Sequence, residues 1–542
     1  MEAPRDTLHV RHKARLLAVM GVVPAAIYLG IFFAVTYPLM LQFSTHFFTD
    51  KKDGLVMIWN IWWTRLAVTE LHQSPWHTSY LYHPYGVSLL AHTLCPFNGF
   101  LATLLHPFLT LKQAYNLIVV FTFVMGGLTT FWLSFYLIRS YWPSIAAGFI
   151  FGFSNFHFAH TPGHLNLASL EWIPLFVLCW YAFIKNPGAL LALASAATLF
   201  AVMLCDYSYF SYCVLVAVAI LAWHALRQKT LRFLLTKRYI ASLSVFVAAT
   251  LASSGVIALK LLRMINSSSL YGAHDPSEFP TDLLSPFLYG ARLRFSQLTE
   301  GFWTRLQGNT SETSVYVGLS VLILMTYGWL RRKRIAMESL RLWYVLLIFF
   351  LLASLGPTLY VWGKRTPFEV MPFRLLEKVF PWFAISGMPS RMMVIVMLCA
   401  ALTAAAALDI LFRGSGKSRL GAAVLIVFLA VEYLPQRLPS FGGEAPDWVI
   451  ALRDSPSGAV IDARGDPYGA MYYQTIHGKP IWGGFVARIS TDLLEKNERI
   501  NKLVGELAGK RLRDEYRFRY AVTGAGEIYD LTREKIIFRD QD

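Results

Sequence analysis

Long apolar runs separated by short basic turns fill most of this chain. A helix needs about 20 apolar residues to cross a bilayer, and about eleven segments qualify. They begin near Arg15, Gln113, Ser144, Leu165, Ala189, Tyr209, Tyr239, Ser314, Leu342, Arg391 and Leu420. The third is short, and the break at Pro162-Gly163 precedes the fourth. Arg5, Arg11, Lys13 and Arg15 precede the first segment. Arg139 follows the second, Lys185 the fourth, and Arg227, Lys229, Arg232, Lys237 and Arg238 the sixth. Arg331-Arg332-Lys333-Arg334 follows the eighth, and Arg413, Lys417 and Arg419 follow the tenth. Basic residues collect on the cytoplasmic side, which puts residues 1–14 in the cytoplasm and, for an odd number of spans, the C-terminus outside. The first run is too long for a signal h-region and lacks a small-residue cleavage site, so it reads as a retained helix.

The pattern divides the chain into a transmembrane region, 15–435, and a tail, 436–542. The long connections, about 42–112, 261–313 and 363–390, all fall on the outer side, and long loops in compact proteins are usually functional. In the tail the period changes. Ala459-Val460-Ile461-Asp462 and Tyr520-Ala521-Val522-Thr523 read as short strands and Leu493 to Leu512 as an amphipathic helix. A small extracytoplasmic α/β domain is expected there.

Composition agrees with a polytopic α-helical membrane protein. Of 542 residues 55% are hydrophobic and 15% charged, with a mean hydropathy of +0.45; soluble domains carry about 25% charged residues. The net charge of +16 follows the topology rather than a nucleic-acid partner. Cys95, Cys179, Cys205, Cys213 and Cys399 read as small hydrophobes without metal-ligand spacing.

Candidate chemistry lies in the outer loops. Asp50-Lys51-Lys52-Asp53-Gly54 follows the first span and precedes Leu55 to Trp63, an aromatic stretch that reads as a helix lying on the membrane face. Asp53 suits a general base or an acceptor-orienting carboxylate; the competing reading is a helix N-cap. Asp50 is the second carboxylate, and a solvated interfacial role competes with a chemical one. His92, in the apolar stretch Leu89 to Phe97, needs a partner such as Asp53, or is a satisfied buried imidazole. His157, His160 and His164 would form a metal face if helical; the Pro-Gly break favours a polar cluster lining a cavity. Glu171 should point into the bundle, and Asp206 is a further charge within an apolar span. Arg391, opening a helix on the outer side against the charge bias, suits a phosphate or pyrophosphate, as do Lys260 and Arg263; snorkelling to headgroups competes. The Asn309-Thr310-Ser311 sequon reads as accidental.

The chain resembles the GT-C superfamily of membrane glycosyltransferases, and within it an uncharacterised bacterial family. The resemblance rests on Asp53-Gly54-Leu55 with Trp59 and Trp62-Trp63, on Tyr82, Pro84-Tyr85-Gly86 and His92-Thr93, and on Gly163-His164-Leu165-Asn166 with Glu171-Trp172-Ile173-Pro174. It continues in Glu312, Tyr316 and Gly318, in Pro389-Ser390-Arg391, and in the tail run Met471 to Ile481. It implies a GT-C fold and inverting transfer from a polyprenyl-phosphate or -pyrophosphate sugar. It also implies a catalytic Asp in the first outer loop, which by position is Asp53. Thr49-Asp50 departs from the pattern and keeps Asp50 a candidate. A divalent metal is possible, and its ligands are unknown.

The leading expectation is a glycosyltransferase on the outer face of a bacterial cytoplasmic (inner) membrane. Asp53 is the base, Arg391 binds donor phosphate, and His92 and His164 hold substrate. Glu312 orients the acceptor, and Glu171 and Tyr316 complete the substrate set. The acceptor is a glycan, lipid or protein, with no nucleic acid involved. The alternatives are a lipid-linked glycan flippase, which would need charges along a path through several helices, and a non-catalytic envelope assembly factor that docks through its tail.

Overall fold

The structure is a computed structural model that describes residues 16–228, 235–267, 270–369, 371–379, 383 and 387–539. Helices occupy every apolar segment. They are Ala18–Thr36, Leu111–Ile138, Tyr141–Gly152, Trp172–Lys185, Ala189–Cys205, Tyr207–Gln228, Lys237–Asn266, Leu319–Leu330, Leu340–Ser354, Pro389–Arg413 and Gly416–Glu432. Among the described residues, six helices are long and apolar enough to cross a membrane, counting Leu165–Lys185 as one.

Pro389–Arg413 is the hub. Met393 to Asp409 are all buried, and the small residues Ala400, Ala401 and Ala404 to Ala407 let neighbours approach closely. Leu319–Leu330, Leu340–Ser354 and Tyr141–Gly152 pack on it. The eighth helix starts at Leu319, later than the expected Ser314. The Glu432 carboxylate accepts from the Leu319 and Ser320 amides and so fixes that terminus, as an orphaned helix N-terminus requires.

The third and fourth segments are broken on the outer side. Ser154 caps a short helix, Asn155–His160, by accepting from the His157 amide. The Pro-Gly turn and one further helical turn, Leu165–Ala168, lead into Trp172–Lys185. This interruption carries the residues discussed below.

The aromatic stretch after the first span is the helix Asp53–Arg65, but it does not lie open on a membrane face. Gly54 to Thr64 are all buried, because Pro96–Leu105 covers one side and the tail helix Pro467–His477 another. Trp59 stacks on Trp63 with centroids 5.7 Å apart, and its indole N–H donates to Gln474 at 2.6 Å. The rings expected to face lipid instead hold the tail.

The tail forms a four-stranded sheet in the order Lys535–Phe538, Ile528–Asp530, Phe518–Val522, Ala459–Asp462. The last pair is parallel, with Val460 opposite Tyr520, and the others are antiparallel. The expected continuous helix from Leu493 to Leu512 is instead Thr491–Gly505 followed by Gly509–Asp514. Leu507 takes a left-handed conformation and the Ala508 amide bonds back to Leu503, a helix-terminating arrangement that amphipathic periodicity does not reveal. A second tail contact pairs Ile489–Ser490 with Leu270–Tyr271.

Candidate functional site

The site begins where two sequence motifs touch. The Asp50 carboxylate accepts from the Lys52 amide at 2.9 Å and the Gly54 amide at 3.0 Å. Asp50 therefore caps the Asp53–Arg65 helix, the role weighed for Asp53, and the Asp53 carboxyl is turned elsewhere. The Asp50 amide donates to the Pro162 carbonyl at 3.0 Å, and the Thr49 hydroxyl donates to the same oxygen. Glycines allow this closeness. A Cβ on Gly54 would lie 1.9 Å from Thr49 Oγ1 and 2.9 Å from the Pro162 oxygen; one on Gly163 would lie 3.0 Å from Asp50 Oδ2 and 3.2 Å from Asp53 Cβ. His164 is thereby set with Nε2 3.8 Å from Asp53 Oδ2.

Burial pushes the Asp53 carboxyl up, the Asp50 charge adds to it, and Lys52 opposes. Burial, then His160 and Arg391, pushes His164 down to about 3. The pair is thus a carboxyl raised above its ordinary range beside a neutral imidazole, and raising a carboxylate is how such a base is tuned toward working pH.

Across the cavity stands a buried ion pair. Arg391 Nε and Nη2 donate to Glu312 Oε1 at 2.9 and 2.6 Å, and the Ser390 hydroxyl donates to Oε2 at 3.2 Å. His160 Nε2 is 3.6 Å from Oε2. Burial alone would raise the Glu312 carboxyl, but Arg391 and His160 outweigh it and hold it well below the usual range. Glu312, expected to be free for an acceptor, is engaged in orienting Arg391.

Asp53, His164, Glu312 and Arg391 line one cavity of about 530 Å³, with Tyr82, Tyr271, Tyr468 and Phe485 as aromatic walls. This lies within the size range of small-molecule sites, and its polar groups converge on an otherwise apolar and aromatic lining.

Other expected residues lie elsewhere. The predicted His92–Asp53 contact does not form: His92 Nε2 meets Asn60 Oδ1 at 3.0 Å and its Nδ1 accepts from the Ala487 amide at 3.2 Å. Burial, then Arg488, pushes this imidazole down to about 3, so it is a satisfied neutral histidine that ties the first outer loop to the tail. It lines a neighbouring cavity of about 60 Å³ together with Asp206. Tyr316 is outside the main cavity because its hydroxyl donates to Glu432. Glu171 is buried at the start of Trp172–Lys185, also outside that lining. Lys260 and Arg263 are exposed. His157 bonds to the Gly152 carbonyl at 2.7 Å and lies 3.2 Å from Thr122 Oγ1, so the three histidines do not converge. Among the described residues no group of His, Cys, Asp and Glu is placed to hold a metal.

Arg488 and Tyr468, both from the tail, line the main cavity and are not among the residues the sequence singles out. The available signal for Arg488 was a lone arginine between Val486-Ala487 and Ile489. Asp206 accepts from Asn166 at 3.0 Å and from the Ser208 amide at 2.8 Å, partners that its place in the sequence does not indicate.

A family model described as "Domain of unknown function (DUF6311)" matches residues 25–434. No curated protein matches the sequence. Among solved structures, the arabinofuranosyltransferase AftD from Mycobacteria is 15% identical with a TM-score of 0.53, covering 86% of this chain and 33% of that one. The oligosaccharyltransferase AglB from Archaeoglobus fulgidus, in complex with an inhibitory peptide and a dolichol-phosphate, is 11% identical with a TM-score of 0.42, covering 87% and 65%. ArnT from Cupriavidus metallidurans, bound to undecaprenyl phosphate, is 13% identical with a TM-score of 0.43, covering 85% of each chain. The chain therefore spans a third of the length of AftD and just under two thirds of AglB. At these identities the likeness is one of fold, and that fold is GT-C.

Proposed function

This chain belongs to the family described as Domain of unknown function (DUF6311) and has the GT-C fold, and from that premise we propose that it is a glycosyltransferase using a polyprenyl-phosphate-linked sugar. The observation that carries this reading is Asp53: a carboxyl at the wall of an aromatic-lined cavity, raised by burial and Asp50, with the Arg391–Glu312 pair in the same lining.

In this reading the Asp53 carboxylate takes the proton of an acceptor hydroxyl. The acceptor oxygen bonds to the sugar C1 as the C1–O bond to phosphate breaks, and the polyprenyl phosphate leaves with the electron pair. One displacement inverts the anomeric centre. Arg391, held rigid by Glu312, meets the phosphate charge, for which a guanidinium fork is suited. Neutral His164 donates or accepts a hydrogen bond beside Asp53 without quenching its basicity. The basic turns support an outer-face site, with the N-terminus in the cytoplasm and the tail outside. No nucleotide-sugar is available on that side, and a lipid carrier supplies the activated donor. The acceptor is an envelope glycan, lipid or protein.

The test is sugar transfer in nanodiscs, with a panel of radiolabelled polyprenyl-phosphate sugars and membrane-extract acceptors. Wild type should transfer, and Asp53→Asn should not. In sealed proteoliposomes, movement of intact donor across the bilayer by both forms, with no transfer by either form in nanodiscs, would favour a flippase and overturn the proposal.

A further inference from the structure

The tail residue Arg488 lies where three cavities meet. It lines the 530 Å³ cavity of Asp53 and His164, the 60 Å³ cavity of His92 and Asp206, and a third of about 330 Å³ walled by Tyr85, Ser490 and Lys496. Among the described residues no other lines all three. Arg391 is shared by the first two, so the two guanidinium groups border the same space from opposite parts of the fold. The position of Arg488 is fixed by main-chain pairing: the next residues, Ile489 and Ser490, pair with Tyr271 and Leu270. The small cavity continues along Met203, Leu204, Leu261 and Ile265, an apolar wall on helices that carry exposed leucines such as Leu259 and Leu262.

We propose that Arg488 is the second phosphate-binding residue of the donor site, so that a lipid-borne phosphate lies between Arg391 and Arg488. The prenyl chain runs along the Leu261–Met203 wall and the sugar points toward Asp53. This rests on the glycosyltransferase reading and deepens it, because it makes the tail part of the donor site rather than a docking module. Glu312 pairs with Arg391, and the Asp206 carboxylate, held by Asn166 and the Ser208 amide, bears on both arginines. Burial, then Arg391, pushes Arg488 down to about 10 against the opposing pull of Asp206, and an anion between the two arginines offsets both lowering effects.

Binding of radiolabelled undecaprenyl phosphate to the full-length protein in phosphatidylcholine nanodiscs tests this. Removing one charged hydrogen-bond partner should weaken binding by about tenfold or more in Arg488→Ala. Arg488→Lys, which keeps the charge and loses the fork, should fall between Arg488→Ala and wild type. That partial rescue is not expected if Arg488 only holds the tail in place. Thermal melting verifies the fold of each variant, and Arg488→Gln replaces the alanine variant if that one unfolds. Wild-type affinity in Arg488→Ala, with weakened binding in Arg391→Ala, overturns the assignment and leaves the glycosyltransferase reading standing. Wild-type protein that holds inorganic phosphate as tightly as the lipid overturns the lipid-borne source. No binding of undecaprenyl phosphate by wild type overturns the glycosyltransferase reading as well.

Discussion

Two acidic residues three positions apart, Asp50 and Asp53, look alike in sequence and differ in the fold. Asp50 is satisfied by the Lys52 and Gly54 amides, while Asp53 faces a cavity and His164. The charge of Asp50 nevertheless acts on Asp53 by raising its carboxyl. Asp50→Asn keeps a capping oxygen and removes that charge, so the acidic limb of the transfer pH profile should move to lower pH. Asp53 itself binds its proton more tightly in the folded than in the unfolded chain. Its contribution therefore favours folding below the raised value and is lost as pH rises through it. Asp53→Asn should abolish transfer while leaving the neutral-pH Tm equal or higher, measurable by thermal melting. Glu312→Gln should behave in the opposite way. It removes the hydrogen-bonded counter-ion of the buried Arg391 charge, at a cost of about 3–5 kcal/mol, and should lower both Tm and donor binding. None of these distinctions is legible from residue type. They depend on a loop, Pro162 to His164, that folds back more than a hundred positions to touch Thr49 and Asp50.

The helix Asp53–Arg65 shows what periodicity can and cannot establish. Its length and its start after the charged stretch are readable. Its environment is not, because an aromatic face looks the same whether lipid or protein covers it. Here Gln474 of the tail reaches Trp59 across the sequence. Trp59→Phe removes that donor and leaves the buried Gln474 oxygen short of a partner, so it should cost about 1–3 kcal/mol, read as a lower Tm. The broken third and fourth segments are legible as a short apolar run and a Pro-Gly pair, and the break bears His164 on the cavity wall and His160 beside Glu312. The tail helix shows the reverse. A left-handed Leu507 ends it, with no glycine at that position to announce the stop.

At the scale of the whole molecule, the basic turns make a prediction that the helices alone do not. An alkaline phosphatase fusion after Asp542 should be active outside the cytoplasm and a green fluorescent protein fusion dark; the reverse pattern would invert the proposed topology. The sequence by itself determined that the chain is built of apolar helices, where they begin within a few residues, and which loops hold acidic, histidine and arginine clusters. Those features follow from local hydrophobicity and chain-breaking residues. Only the tertiary structure decided which of those residues meet. His92 pairs with Asn60 rather than Asp53, Tyr316 with Glu432, and Glu312 with Arg391, while Arg488 arrives from the tail to complete the cavity wall. Each of these contacts joins segments distant in the chain. Which partners meet is set by the close approach that residues such as Gly54 and Gly163 allow and by the docking of the tail on the first outer loop, and no local pattern encodes that.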